Sequence, residues 1–233
     1  MARTTHCVVF GADEECGMVR TAQAADELLA DAFAQHYRYA PDHPGWTARC
    51  RVRDESVEVD TTVGMTSAID VEAVPQDGVV TATLEGLLQD LRSFARTLFG
   101  HDFATGEGRF AKSLDDAPNP LGPLVVLHDD PHEATFRIRQ RRVTMATRRQ
   151  GQLLETVRVD RWHSRPDGRW LPAQWVAEVW DDAIVGPLTS TRYWDLYWPL
   201  GGELVPQMRR VDVTDDLGIT TGRSLTLAEW QLG

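Results

Sequence analysis

The sequence predicts an α+β fold: a long, curved antiparallel β-meander, forming a half-barrel or barrel, with two amphipathic helices packed on its concave side. Three observations predict it. Two segments place apolar residues at helical spacing, many later segments have the composition of strands joined by short turns, and several of these strands are long. Long strands in a meander coil strongly, which curves the sheet.

The first helix is predicted from Thr21 to His36, with Thr21 as its N-cap and an end before Pro41. Residues 1–20 show no clear period, so we expect them to form an N-terminal arm beside a single α+β half-barrel domain at 21–233. The second helix is predicted over Thr83–Phe99 and ends at Gly100. Its apolar stripe consists of Leu84, Leu87, Leu88, Leu91, Phe94, Ala95, Leu98 and Phe99.

The segment between the helices predicts a β-hairpin, because apolar and charged residues alternate from Trp46 to Asp60. A two-residue turn at Asp54–Glu55 would place Val52 opposite Val57 and Arg51 opposite Glu58. One face is then apolar and the other carries pairs of opposite charges. A third strand is predicted at 69–74.

The C-terminal half of the sequence has the pattern of β-strands and predicts no further helix. Their joints are turn sequences such as Arg165–Gly168 and Asp215–Gly218, and such short connections make neighbouring strands antiparallel. The predicted strands are Leu124–His128, Ala134–Arg139, Val143–Arg148, Leu153–Trp162, Trp170–Trp180, Thr189–Trp198, Leu204–Val213 and Gly218–Leu227.

Composition excludes several classes of protein. Hydrophobic residues make up 42% and charged residues 25%, which is typical of a globular protein. The net charge of −11 opposes broad nucleic-acid binding. Three widely spaced cysteines fit a reducing compartment, and neither a signal peptide nor an integral membrane segment is indicated, so a cytoplasmic location is expected. The oligomeric state stays open.

No motif indicates a cofactor or a metal site. The sequence lacks a nucleophile elbow, a zinc-protease motif, a phosphate-binding loop and a dinucleotide-binding fingerprint. His128 and His132 flank an Asp-Asp-Pro turn without a third histidine or a cysteine, so we predict no metal there.

Aromatic residues are concentrated in the later strands, and the chain has eight tryptophans. These rings either fill a large core or, where they share a strand face with charged residues, line a partly hydrated pocket. Periodicity does not decide which face points inward, because both faces hold large apolar residues. The residues predicted to contact a ligand are Trp162, Glu178, Trp180, Arg192, Trp194 and Trp198. Glu178 and Asp160 are the candidate acid–base residues.

The run from Tyr37 to Ala48, Tyr-Arg-Tyr-Ala-Pro-Asp-His-Pro-Gly-Trp-Thr-Ala, resembles a domain-of-unknown-function family of cyanobacteria and plant plastids. Weaker matches lie at His128–Glu133, at Val143–Thr144 followed by Arg148, and near Asp167, and the similarity spans 21–232. Members resemble the half-barrel of lipoprotein-localisation carriers, which hold lipid between a sheet and helices. The resemblance implies that fold and brings no established catalytic residue.

Three hypotheses follow. The first is a binding protein for a hydrophobic small molecule, such as a lipid, pigment or isoprenoid, held between the curved sheet and the helices. The alternative is a cofactor-independent cyclase or isomerase that acts on a bulky natural product in the same pocket. The third is a partner-binding protein that uses exposed tryptophans as interface anchors. A cavity on the concave side would separate the first two from the third.

Overall fold

A computed structural model of the chain describes residues 12–54, 57–67, 70–75, 81–100 and 102–233. The helices are α1 (Ala12–Gln35) and α2 (Thr81–Phe99), and a 3-10 turn spans Glu107–Arg109. The strands are β1 (Trp46–Asp54), β2 (Val57–Met65), β3 (Val71–Pro75), β4 (Ala111–Asp115), β5 (Leu124–His128), β6 (Thr135–Arg139), β7 (Arg142–Gln150), β8 (Leu153–Ser164), β9 (Trp170–Asp181), β10 (Pro187–Leu200), β11 (Glu203–Asp215) and β12 (Thr220–Leu232).

The twelve strands of the described residues join one antiparallel sheet in the order β3-β2-β1-β12-β11-β10-β9-β8-β7-β6-β5-β4. The curved, open sheet with its two helices is the predicted α+β half-barrel. Two features were not predicted: β4, and the pairing of β1 with β12, which joins the N-terminal hairpin to the end of the meander. Because of that pairing, α2 and the segment after it connect the two opposite edges of the sheet, β3 and β4.

Helix α1 begins at Ala12, earlier than predicted, so Thr21 lies inside the helix and is not its N-cap. Periodicity did not find the first turns because they lack an apolar stripe, although alanine, glutamate, methionine and arginine all favour a helix. Residues 1–11 of the expected N-terminal arm lie outside the described residues, so the division at residue 20 stays a prediction. Helix α2 differs from its predicted bounds only at its first turn.

Each helix covers its own core. Helix α2 buries Leu87, Leu91 and Phe94 in a cluster with residues of β1–β3 and β10–β12. Helix α1 buries Ala25, Leu29 and Ala32 against β5 and β6. Strands β8 and β9, in the middle of the sheet, lie between these two cores. The face of the sheet that carries both helices is called the inner face below.

The register of the N-terminal hairpin differs from the predicted one. Val52 pairs with Val59 and Arg51 pairs with Asp60, a shift of two residues, because β1 continues to Asp54. Glu55, in the predicted turn, lies outside the described residues. A two-residue shift keeps every side chain on its predicted face, so the charged ladder survives. The Arg51 Nε to Asp60 Oδ1 distance is 3.0 Å.

The segment that joins α1 to β1 is hydrogen-bonded to residues of two later strands, β9 and β11. The amide of Tyr37 donates to the carbonyl of Trp170 over 2.8 Å, and the hydroxyl of Tyr39 donates to the carbonyl of Leu204 over 2.7 Å. Gly45 follows with φ +86°, and a Cβ atom there would lie 2.3 Å from the carbonyl oxygen of Met65. The run that carries the family resemblance therefore has a structural role.

Among the described residues, no helix combines the length and the apolar character that crossing a membrane requires. Cys50 is buried with a free thiol on β1. Burial raises the pKa of that thiol to about 12, with smaller contributions from Asp60 and Asp90, so it is unreactive at neutral pH.

Candidate functional site

An apolar cavity of about 160 Å³ lies between the C-terminal end of α1 and the inner face of β6–β9. Its lining residues are Ala32, Phe33, His36, Arg38, Phe136, Val143, Val159, Trp170 and Pro172. Sites for small molecules in proteins are concave and lined mainly by apolar side chains. A space of this size with an almost wholly carbon lining is therefore the candidate ligand site.

The local sequence explains why the cavity forms under α1. Ala32 and His36, one helical turn apart, both face the sheet, and the small Ala32 side chain leaves space that a leucine would fill. Phe33 forms one wall, with its ring centroid 5.9 Å from that of Phe136 in an edge-to-face contact. Val143 and Val159 come from the inner face of β7 and β8 and supply the floor.

His36 is a polar residue in the lining of the cavity, and its ring is held in place by Trp170. Its ring stacks on Trp170 with centroids 4.8 Å apart, and the indole Nε1 of Trp170 donates to the carbonyl of Arg141 over 3.2 Å. Within the described part of the chain, the buried Nε2 of His36 has no hydrogen-bond partner. Burial lowers the pKa of His36 to about 3, and the charge of Arg38 adds to that shift. The imidazole is therefore neutral at physiological pH.

Arg38 adds a positive charge to the same wall. Its guanidinium carbon lies 5.2 Å from the ring centroid of Phe33. A Cβ atom on Gly100, at the end of α2, would lie 2.6 Å from the Arg38 Nε, so the arginine fills the space between the ends of the two helices. Burial lowers the pKa of Arg38, while the carboxylates of Glu107 and Asp102 act in the opposite direction.

Most of the residues predicted to contact a ligand lie on the other face of the sheet. Tyr193 and Asp195 of β10 face α2, because Asp195 pairs with the buried Arg209, whose Nη1 donates to the carbonyl of Asp90 in α2 over 2.8 Å. Successive residues of a strand alternate between faces, so Trp194 lies outside.

The outer face is the side of the sheet opposite the two helices, and the same alternation places Arg192 there, two residues from Trp194. Ser190 lies on the outer face too, and Glu178 shares that face because it pairs with Ser190 across the two strands. Trp180, two residues after Glu178 on the same strand, also lies on the outer face. Trp198 is 53% exposed. The predicted set is not brought together around the cavity.

Two other predicted residues lie on β8. Trp162 pairs with Pro172, which lines the cavity, and Arg142 lies over its ring at 5.4 Å. Asp160 forms an exposed ion pair with Arg158, with Nε and Oδ1 3.0 Å apart. Neither Asp160 nor Glu178 lines the cavity, so the structure does not support their proposed acid–base role at this site.

A buried ion-pair network under α2 was missed by sequence reasoning. The guanidinium of Arg209, which is fully buried, donates to both carboxylate oxygens of Asp195 over 2.6 and 2.7 Å. Arg223 binds the Asp90 carboxylate of α2 in the same bidentate way, at 2.5 and 3.0 Å. The indole of Trp175 donates to Asp195 over 3.0 Å. Every charge in this network is paired, so it anchors α2 to the sheet.

Two further observations define the site by contrast. A larger cavity of about 290 Å³ lies at the edge formed by β1–β3, but its lining includes Thr66, Asp70 and Glu72, which do not suit an apolar ligand. Within the described ranges, no group of three or more His, Cys, Asp or Glu side chains is arranged to hold a metal ion. His128, one of the two histidines that flank the Asp-Asp-Pro turn, forms a hydrogen bond between its Nε2 and the hydroxyl of Ser113 over 2.8 Å.

Comparisons with known proteins place the chain in a family but give it no activity. The family model described as "Protein of unknown function (DUF3386)" matches residues 20–232. A comparison with the curated proteins found no match.

Solved structures are similar only at a distance. A LolA superfamily protein from Nitrosomonas europaea is 14% identical with a TM-score of 0.35, and the match covers 91% of this chain and 94% of that one. A DUF1329 family protein from Desulfovibrio piger is 7% identical with a TM-score of 0.26, covering 91% and 93%. At these scores the similarity supports no argument about the site.

Proposed function

We propose that this chain, which belongs to the DUF3386 family of proteins of unknown function, binds a hydrophobic small molecule between its curved sheet and helix α1. The observation that carries the proposal is the apolar cavity of about 160 Å³ at the end of α1. Transfer of an apolar group from water into such a space is favourable by about 25 cal/mol per Å² of buried surface.

The size of the cavity limits what it holds. An apolar cavity of about 150 Å³ in another protein accepts benzene, whereas whole drug-sized ligands occupy about 300–1,000 Å³. The cavity therefore suits one ring or one branched end of a lipid, pigment or isoprenoid-like molecule. Beyond Val159, the inner face continues along β8 with Val157, which pairs with Ala177, and both side chains are only half-buried. We assign the remainder of a longer ligand to that apolar strip.

Among the described residues that line the cavity, none is suited to the acid–base role that the cyclase or isomerase alternative requires. A general base works best when its pKa lies near the working pH. His36, with a pKa of about 3, is a poor base at neutral pH, and Arg38 is a cation throughout. The absence of a cofactor and the cytoplasmic location stay predictions.

Filling the cavity tests the proposal. In wild-type protein, toluene should raise the melting temperature and shift the NMR signals of the Val159 methyl groups. Val143→Phe places a ring in the cavity and should abolish both effects while leaving the fold intact. Val185→Phe makes the same change on an exposed hairpin tip and should leave them unchanged.

Native mass spectrometry of protein purified from its own host provides an independent measurement. A bound apolar molecule should be present in wild type and in Val185→Phe, and absent from Val143→Phe. If toluene leaves wild type unaffected, or affects Val143→Phe as strongly as wild type, the cavity is not a binding site and the proposal fails.

A further inference from the structure

Two hairpins of the sheet carry exposed apolar side chains at their turns. In the turn between β9 and β10, Ile184 is 48% exposed and Val185 is fully exposed. In the turn between β11 and β12, Leu217 is 79% exposed and Ile219 is 58% exposed. Val185 and Leu217 are the two most exposed large apolar residues in the described part of the chain. These four residues are called the apolar tips below.

The strand register places both tips at the same end of the half-barrel. Strand β10 pairs with β9 through Pro187 and Trp180, next to the first turn. The same strand pairs with β11 through Thr189 and Asp215, next to the second turn. The two turns therefore leave the sheet side by side, two strand spacings or about 10 Å apart.

Hydrogen bonds inside each turn reduce the cost of moving the tips out of water. The carboxylate of Asp215 accepts from the amides of Leu217 and Ile219 over 3.0 and 2.8 Å. In the other turn, the amide of Ile184 donates to the carbonyl of Asp181 over 3.1 Å. Unpaired backbone groups make a loop costly to transfer into lipid, and these amides already have partners.

We propose that this end of the protein docks on a lipid bilayer with zwitterionic head groups, and that the apolar tips enter the interface of that bilayer. The inference goes beyond the proposed function and does not depend on it. A bilayer is fluid, so it accepts two separate apolar turns without a preformed pocket for either. Transfer of each exposed apolar side chain out of water is favourable in proportion to the area that it buries.

The charges beside the tips select the kind of lipid. Asp181 and Asp182 precede the first tip, and Asp215 and Asp216 precede the second. Among the described ion pairs, the one that involves these four acids joins Asp182 to Arg149 over 2.6 Å. Anionic lipids attract clusters of lysine and arginine, so these acids and the net charge of −11 oppose binding to an anionic surface. A zwitterionic surface carries no such repulsion.

The position of the tips also relates to the cavity. Val157 pairs with Ala177 in the apolar strip beside the cavity, and four residues further along the same two strands Leu153 pairs with Asp181 at the first turn. The strip therefore lies between the tips and the cavity. A hydrophobic molecule that leaves the bilayer at this end would meet the strip first.

Flotation with phosphatidylcholine vesicles tests the docking surface. Wild-type protein should float with the vesicles, and Val185→Ser/Leu217→Ser should bind about a hundredfold more weakly, about tenfold for each side chain. Val74→Ser/Leu196→Ser is the matched control, because these residues are 64% and 50% exposed but lie outside the two turns. The control should bind like wild type. Phosphatidylserine mixed into the vesicles should weaken wild-type binding.

The outcomes separate this inference from the proposed function. The tip variant should lose vesicle binding and keep the melting temperature and the toluene response of wild type. Absence of wild-type flotation, or an equal loss in the control variant, would overturn the inference. Stronger binding to vesicles with phosphatidylserine would also overturn it, because the acids would then not select the lipid. If wild type instead self-associates through the tips and binds no vesicle, the tips are an interface between copies of the chain and the inference fails.

Discussion

Replacing Asp195 by asparagine should be among the most destabilising conservative changes in this protein. Asp195 and Arg209 are fully buried, and their side chains form a bidentate ion pair under α2. Burial alone would lower the pKa of Arg209, but the ion pair with Asp195 raises it above its ordinary value, so the arginine stays charged in the variant. Removing one partner of a buried pair leaves an uncompensated charge and costs about 3–5 kcal/mol.

The neighbouring pair supplies a matched control. Arg210 and Asp212 lie on the same strand, with Nε and Oδ1 3.1 Å apart, but the arginine side chain is 62% exposed. Asp212→Asn should therefore cost less than about 1 kcal/mol. Urea unfolding monitored by tryptophan fluorescence measures both free energies. A loss for Asp195→Asn within about 1 kcal/mol of that for Asp212→Asn would refute the reasoning, because Arg209 would then have found water or another partner.

Two further measurements address other buried groups. Tyr37→Phe should lower the free energy of unfolding by about 1–3 kcal/mol, because the Tyr37 hydroxyl donates to Glu203 and accepts from the amide of Leu204 over 3.0 Å. Tyr197→Phe should leave the free energy of unfolding unchanged, because the buried hydroxyl of Tyr197 has no hydrogen-bond partner in the described part of the chain. Equal losses in urea unfolding would contradict this. The pKa of His36 falls from 6.5 to about 3 on folding, so the unfolded chain binds the extra proton between these values and stability falls as the pH falls. Between pH 7 and pH 5 the stability advantage of wild type over His36→Phe should shrink by about 2 kcal/mol, and a constant difference would show that His36 titrates normally.

Local periodicity predicted the elements of this fold except β4 and the first turns of α1, and it did not predict all of the strand partners. The apolar stripe of α2 recurs at helical spacing, and Leu87, Leu91 and Phe94 are buried as the spacing requires. The hairpin register was wrong by two residues, because alternation fixes the face of each side chain but allows any even shift. The pairing of β1 with β12 joins residues far apart in the chain, and no local pattern carries that information.

The candidate site was harder to predict because aromatic residues occupy both faces of β9 and β10. The mixed face with Trp194 and Arg192 has the composition of a pocket but lies outside, and the face with Tyr193 and Asp195 is covered by α2. One signal was present in the sequence. Asp195 shares one face of its strand with Tyr193 and Tyr197. An aspartate on such a face is either exposed or needs a buried cation, and Arg209 of the next strand supplies that cation. Sequence alone could not show which applies.

The two helices differ in what they bury, and this difference explains where the cavity lies. Helix α2 faces the sheet with large side chains such as Phe94 and is fixed by the Asp90–Arg223 ion pair. Helix α1 buries Leu29 together with the small alanines at 25 and 32. Its described ion pairs with the sheet are Asp31–Arg141, in which both side chains are more than a third exposed, and Asp26–Lys112, in which the lysine side chain is buried. An alanine covers less of the sheet than a phenylalanine or a leucine at the same position, so the space that remains on the inner face lies beside Ala32 of α1 and not under α2.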